Sequence, residues 1–385
     1  MTRVFFYVQH LQGIGHVVRS SRIAQALAAH DFEVKLVLGG MPIPELGATR
    51  ERSGITTYQL PPLKAGPESF RDLLDANGAA ADAAYKAGRT KFLLEIFDRS
   101  DADVVVIEAF PFDRPQMHFE LIPLLERARA RLHPPAVVSS VRDILQIKPK
   151  AERDATARDI LLEYFDAVLV HGDPRLATLD ETFRHAHEIE HLITYTGIVA
   201  PDAPNVRPAT LYDAIISTGG GATDGYRVLE AAMHAKSLSP LASGAWLALV
   251  GPFVETARMR SLTALATSTG VTLSSFVDNL PALLMEARVS ISQAGYNTVA
   301  DILRTGCRAV LCPYSGIRQN EQTQRAARLS EHGCAVVVDQ TELSGPRLAQ
   351  AVADALEMAQ PSIALNLEGA TGTAVALRRM LEKAQ

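Results

Sequence analysis

With 385 residues, 47% of them hydrophobic and 21% charged, the chain is long enough for about two globular domains and has the composition of a folded enzyme, not of a disordered or fibrous protein. A formal net charge of -5 speaks against nucleic acid as the main partner, because phosphate binding needs a surplus of Lys and Arg on one face. No run approaches the roughly 20 apolar residues of a membrane span and the N-terminus lacks the layout of a signal peptide, so a cytoplasmic protein without a transmembrane segment is expected.

In chain order, short apolar and β-branched runs at 4–8, 34–38, 56–60, 104–107, 137–141 and 168–170 alternate with helical patterns, beginning with 19–29. Strands apolar on both faces signal a parallel sheet covered by helices. Arg127, Arg129 and Arg131 read as a solvated helix face. A Pro-rich stretch at 200–209 is the best linker candidate. Beyond it the alternation restarts at 214–217, 246–250, 271–276, 289–292, 309–312 and 335–338, with a helix pattern at 226–236 and a last helix at 369–383. The expected organisation is α/β, with two doubly wound parallel-sheet domains, 1–203 and 204–365, facing a cleft. Residues 366–385 would form a C-terminal helix packing back on the first domain. Cys307, Cys312 and Cys334 sit in or beside apolar runs and read as buried thiols.

Three strand ends carry glycine-rich turns into helices. Gln12-Gly13-Ile14-Gly15-His16 follows the first strand, and glycines there let the backbone approach a ligand while the new helix offers free N–H groups. A bare Gly-x-Gly is equally a tight turn; His16, with a near-neutral titration range, gives this one chemical interest. Thr218-Gly219-Gly220-Gly221-Ala222 ends one strand of the second half, and Ser292-Gln293-Ala294-Gly295-Tyr296-Asn297-Thr298 ends another. Two side-chain-poor turns exposing several amides suit the two phosphates of a diphosphate. Glu108 closes the 104–107 strand and is an equal candidate for a catalytic base or for a group that orients His16; Arg142 and Asp143, at the next strand end, are weaker acceptor-side candidates.

Gly13-Ile14-Gly15-His16, Thr218 to Ala222, Phe276-Val277-Asp278, Ser292 to Asp301, and Pro313 through Asn320-Glu321-Gln322 to Arg325-Ala326 together resemble the GT-B glycosyltransferases related to the bacterial lipid II N-acetylglucosaminyltransferase. The resemblance spans nearly the whole chain, and residues 276–326 are its most specific part. The first half departs from it, with Gly-Ile-Gly-His in place of a longer glycine-rich turn. The resemblance implies an inverting, metal-independent hexosyltransferase of carbohydrate biosynthesis, moving a sugar from a nucleotide-diphosphate donor, with uracil the expected base. The acceptor would be a small-molecule, glycan or lipid-linked hydroxyl, a lipid-linked one requiring contact with a membrane surface. Phe276 and Val277 would hold the base and Asp301 the ribose, an Asp where relatives often have Glu. Thr218, Gly219, Gly220, Gly221, Ser292, Ala294, Gly295, Asn297 and Thr298 would hold the diphosphate, with Gly13 and Gly15 approaching the donor. Asn320, Glu321 and Gln322 would meet the sugar hydroxyls, and His16, or else Glu108, would take the acceptor's proton.

Other readings remain open on the residues alone. A nucleotide-sugar hydrolase would use the same scaffold with water in place of the acceptor, and an idle donor-binding module would keep the loops without turnover; an epimerase would carry more acidic and His groups. His187-Glu188-Ile189-Glu190-His191 matches the His-Glu-x-x-His zinc pattern, but it runs almost directly into a strand-like 192–195 with little helix to hold two ligands. No metal and no cofactor are expected. Gly13-x-Gly15 has no third glycine and no following acidic residue, which argues against a dinucleotide.

Overall fold

The computed structural model describes residues 1–11, 13–43, 54–66, 72–147, 151–218, 225–251, 254–314, 316, 320–359 and 364–383. Runs such as Val104-Val105-Val106-Ile107 have branched side chains on both faces and become central strands, because only a sheet covered on both sides buries them all. The chain divides into two units, residues 1–199 with 368–385, and residues 200–367.

In the first unit the order is β1 (Thr2–Val8), α1 (Gly15–Ala29), β2 (Phe32–Leu38), β3 (Ile55–Gln59), β4 (Lys64–Ala65), β5 (Leu73–Leu74) and α2 (Ala83–Asp98). Then come β6 (Val104–Glu108), α3 (His118–Arg129), β7 (Ala136–Arg142), α4 (Ala151–Tyr164), β8 (Ala167–His171) and β9 (Ile193–Tyr195). The sheet runs β3-β2-β1-β6-β7-β8-β9, all pairs parallel, with β4 and β5 a separate antiparallel pair. Connections lead one way from β1 to β3 and the other way from β6 onward, so the switch point lies between β1 and β6.

The second unit contains β10 (Ala214–Ser217), α5 (Gly225–Ala235), β11 (Trp246–Leu249), α6 (Thr256–Thr269), β12 (Thr272–Ser274), α7 (Leu280–Glu286) and β13 (Val289–Ser292). It continues with α8 (Tyr296–Thr305), β14 (Ala309–Leu311), α9 (Glu321–Glu331), β15 (Val336–Val337) and α10 (Gly345–Glu357). Its parallel sheet, β12-β11-β10-β13-β14-β15, switches between β10 and β13. Gly270 and Gly306, both with positive φ, end α6 and α8 in the left-handed conformation that glycine adopts without penalty.

The last helix, α11 (Gly369–Lys383), belongs to the first unit and packs on α1. Its first turn lies so close to the 196–198 backbone that a Cβ on Gly369 would stand 2.2 Å from the Gly197 carbonyl oxygen, and one on Gly372 2.1 Å from that of Thr196. Arg378 at its far end donates to the His30 carbonyl.

Two expectations need correction. The Arg127, Arg129 and Arg131 cluster is not simply solvated: Arg127 pairs with Asp98 at 2.7 Å, Arg129 donates to the Tyr164 carbonyl at 2.7 Å, and Arg131 stacks 3.9 Å from the Phe97 ring centroid. The 271–276 run is strand only over Thr272–Ser274: the Ser274 carbonyl accepts a last bond from the Val250 N–H at 3.0 Å, and the Ser274 hydroxyl donates to the Phe276 carbonyl at 2.8 Å where the chain turns away. The three cysteines are buried free thiols, and burial pushes those of Cys307 and Cys312 up to about 12. Among the described residues no helix is long and apolar enough to cross a membrane.

Candidate active site

At the switch point of the first unit, the turn after β1 brings His16 to the start of α1, and the end of β6 brings Glu108 to meet it. His16 Nδ1 lies 2.7 Å from Glu108 Oε1. The same oxygen accepts from Arg19, one turn further along α1, and Oε2 accepts from Arg114 Nη1 at 2.9 Å. The Glu108 side chain has no exposure, Arg19 has 3% and Arg114 11%, while His16 keeps 21%. Burial pushes the Glu108 carboxyl up, but His16, Arg114 and Arg19 outweigh it and hold it well below the usual carboxylate range.

An ionised Glu108 can only accept, so Nδ1 of His16 donates to it. The lone pair of the neutral ring then stands on Nε2. Burial first, and then the Arg114 charge, push His16 below its ordinary value against the pull of Glu108, which keeps the ring neutral. A fixed neutral imidazole with a free basic nitrogen is the arrangement a general base needs, and Glu108, with both oxygens occupied, is placed to orient it.

Arg19, Arg114, His10 and His171 were not singled out from the sequence. Arg19 stands at i+3 from His16, which puts both on one helix face, and that spacing was a readable signal. His171 is in register with Arg142 on the neighbouring strand. It is fully buried between the Ser140 hydroxyl at 2.7 Å and the Thr196 hydroxyl at 2.8 Å, and burial lowers it to about 3. His10 Nε2 donates to the Met41 carbonyl at 2.9 Å, and burial lowers the ring to about 4. Of the weaker candidates, Arg142 leans toward Asp113 at 4.0 Å, and Asp143 is buried with its carboxylate accepting from the Ile144 N–H at 2.8 Å. Gly13 has positive φ and Gly15 opens α1; Gln12 lies outside the described residues.

In the second unit, Ser217 and Ser292 are register partners across the switch point, so the turns that follow them leave adjacent strand ends. Thr218 is buried; Gly219, Gly220, Gly221 and Ala222 lie outside the described residues. Gly295 caps α8, which places Ala294 and Gly295 before the helix N-terminus and Asn297 and Thr298 in its first turn. The Ser292 hydroxyl and the Gln293 Nε2 are buried without a hydrogen-bond partner among the described residues. Arg325 on α9 is completely buried and holds the Ala294 carbonyl from Nη1 at 2.9 Å, a fixed positive charge behind the turn that the sequence reading quoted but gave no role.

Phe276 is 41% exposed beyond β12, an exposed ring where the base was expected, and Val277 packs on a small apolar cluster with Ile215 and Leu247. Asp301 is buried on the second turn of α8. Asn320 precedes α9, and Glu321 and Gln322 open it; Gln322 Oε1 accepts from the Tyr314 N–H at 3.0 Å.

The His-Glu-x-x-His segment is a 3₁₀ turn, Ala186–Leu192, with non-helical backbone at Ile189. Its Glu188 is held by Arg158 and His185, at 2.8 and 2.5 Å, so the two imidazoles and the carboxylate do not share the one α-helical face that the zinc pattern needs.

Residues 216–373 match the glycosyltransferase family 28 C-terminal domain. Within the curated proteins, the UDP-N-acetylglucosamine--N-acetylmuramyl-(pentapeptide) pyrophosphoryl-undecaprenol N-acetylglucosamine transferase of Exiguobacterium sibiricum is 30% identical over 118 residues, 29% of this chain and 32% of that protein. The chain thus spans about a third of the length of this curated relative. Two solved structures match the fold across nearly all of both chains. MurG of Acinetobacter baumannii has a TM-score of 0.58 at 14% identity, covering 98% of this chain and 100% of that one. The spinosyn rhamnosyltransferase SpnG has a TM-score of 0.60 at 15% identity, covering 100% and 96%. The chain therefore has the GT-B glycosyltransferase fold. Its second half carries a glycosyltransferase family 28 C-terminal domain, and the most specific part of the resemblance, residues 276–326, falls inside that match.

Proposed function

We propose that this chain is an inverting glycosyltransferase that moves a sugar from a nucleotide-diphosphate donor, a UDP-sugar, to an acceptor hydroxyl. The second unit binds the donor. The diphosphate sits on the turns after β10 and β13, the base on Phe276 and Val277, the ribose on Asp301, and the sugar on Asn320, Glu321 and Gln322. His16 Nε2 takes the acceptor's proton as the oxygen attacks the anomeric carbon, and the diphosphate leaves toward backbone amides and the α8 N-terminus. Glu108 holds the ring in the productive tautomer and balances the imidazolium that forms. The catalytic centre needs no bound metal, because helix N-termini and amides carry the leaving-group charge.

The observation that carries the base assignment is the His16–Glu108 pair at 2.7 Å, with Arg19 and Arg114 fixing the carboxylate and Nε2 unengaged in it. The donor assignment rests on the family 28 match over 216–373, and the UDP-N-acetylglucosamine donor and pyrophosphoryl-undecaprenol acceptor in the name of the Exiguobacterium relative support a UDP-sugar and a lipid-linked hydroxyl. A lipid-linked acceptor would bring a cytoplasmic protein to a membrane surface. Calorimetry on the full chain tests the donor reading. UDP is expected to bind, and no binding of UDP, GDP or dTDP at millimolar concentration would sink it. Release of UDP from UDP-sugars should require an acceptor and persist in EDTA; acceptor-independent release would make the chain a hydrolase, and loss in EDTA with rescue by Mg²⁺ or Mn²⁺ would refute the metal-free mechanism.

A further inference from the structure

Among the described residues, the charges that meet at Glu108 are one negative, its own, and two positive, those of Arg19 and Arg114. Three histidines there are held neutral: His16 itself, and His10 and His171, which are lowered to about 4 and about 3 with burial as the leading cause. Arg19 is almost fully buried against Oε1, and Arg114, on Oε2, is the more exposed of the two.

The side chain of Arg114 is built to reach outward. Among the described residues its one hydrogen bond runs from Nη1 to Glu108, leaving the rest of its five-donor fork unused although only 11% of the side chain is exposed. Its backbone is left-handed, with φ 60 and ψ 54, and Ala109 at the start of the same turn has φ 62. Neither residue is a glycine, and a left-handed non-glycine residue costs on the order of 1 kcal/mol, a cost met here where it aims a guanidinium at the carboxylate. The neighbouring carboxylate of Asp113 is turned toward Arg142, 4.0 Å away, and is not the partner. A half-used guanidinium fixed beside a base fits an oxyanion, a carboxylate or a phosphate, whose oxygens can accept from its remaining donors.

We propose that Arg114 docks an oxyanion of the acceptor, a carboxylate or phosphate group, next to the hydroxyl that His16 deprotonates. This rests on the reading of His16 as the base. It narrows the acceptor to anionic molecules and makes Arg114 the residue that selects them. The bound anion also offsets the charge that weakens His16, so the base strengthens as the acceptor arrives.

The test uses the full chain with histidine ¹³C-labelled at Cε1, inorganic phosphate and acetate as probes, and the His16 resonance assigned by its loss in His16→Asn. Phosphate or acetate should shift the His16 signal saturably and raise its titration midpoint, and Arg114→Met should weaken that response by about tenfold or more, in line with loss of a charge-assisted fork. Should Arg114→Met fail to fold, phosphate should still protect Arg114 of the unaltered chain from phenylglyoxal, read by peptide mass. No saturable shift and no protection, in a sample that binds UDP normally, overturns the proposal and leaves the donor reading standing. A response unchanged in Arg114→Met also overturns it. If Arg114→Met instead weakens UDP itself, the anion belongs to the donor and the acceptor role falls.

Discussion

The two units share one architecture, a parallel sheet with a switch point after its central strand, yet they furnish that point in opposite ways. In the first unit the carboxyl edge is dense in buried titratable side chains, and His16, Arg19 and Arg114 all meet the Glu108 carboxylate. In the second unit the same edge carries short side chains and turns, with the Ser292 hydroxyl, Gln293 Nε2 and Asn320 Oδ1 buried and lacking partners among the described residues. The first edge holds its charged groups against one another before any ligand arrives, with donors of Arg114 to spare; the second is short of hydrogen bonds that a polar ligand can supply.

The sharpest way to break this contrast is to remove the charge at the centre of the first site. Glu108→Gln leaves Arg19 and Arg114 buried without their anion, and breaking such a pair by removing one partner costs about 3–5 kcal/mol. Chemical denaturation of the full chain should show a loss of that order, confined to the transition of the first unit, with UDP affinity retained. A loss under about 1 kcal/mol would mean that the cluster is more hydrated than its burial indicates. The sign with pH follows from the depressed carboxyl. Its stabilisation is present above the unfolded carboxylate range and is lost as pH falls through the lower folded value.

His16→Ala probes the same site through turnover. Only one partner of Glu108 is lost and its two arginines remain, so stability should change little. Loss of a positioned base lowers kcat by roughly 10² or more, with UDP affinity unchanged. Because burial and Arg114 hold the ring below 6.5, the acid limb of the kcat/KM profile should lie below that value, and activity should survive mild acid. A limb at or above 6.5 contradicts the described environment of His16. If His16→Ala turns over normally while Glu108→Gln folds and is inactive, the base is Glu108; if both turn over normally, the chemistry assigned to this edge is wrong.

How much of this was legible in sequence follows the same division. Periodicity located the strands of both sheets, because β-branched runs buried on both faces have no other stable use: 214–217 and 289–292 coincide with β10 and β13 residue for residue. The glycine-rich turns after β1 and β13 fall at the switch points, Gly13 with positive φ and Gly295 capping α8, while Gly219, Gly220 and Gly221 lie outside the described residues. The charge cluster left a weaker trace. Glu108 and His16 were visible as strand-end and turn residues, but Arg114 meets Glu108 from a position with left-handed backbone six residues further on, and no local pattern announces that. His171 looks like any strand residue until β7 and β8 are paired in register. Pairings between distant segments depend on the fold, and for these the sequence offers residue types without partners.

The smallest effect, and the finest test of the contrast, is expected at Ser292. Its hydroxyl is buried at the end of β13 with no partner among the described residues, so the unliganded protein gains nothing from it. Replacing it with Ala removes an unsatisfied polar group and should leave the melting temperature of the free chain unchanged or slightly raised. If the turn after β13 holds the donor's diphosphate, the hydroxyl finds its acceptor only when UDP binds. A hydrogen bond of about 0.5–1.5 kcal/mol is then lost from the complex alone, which weakens UDP by about 2- to 12-fold. Melting curves with and without saturating UDP separate the two contributions, since ligand stabilisation tracks affinity through linkage. A Ser292→Ala chain that melts lower without ligand would show that the hydroxyl already has a partner, and one that binds UDP as tightly as before would remove Ser292 from the donor site. The opposite pattern is expected at Glu108, where the free protein suffers and the donor does not notice.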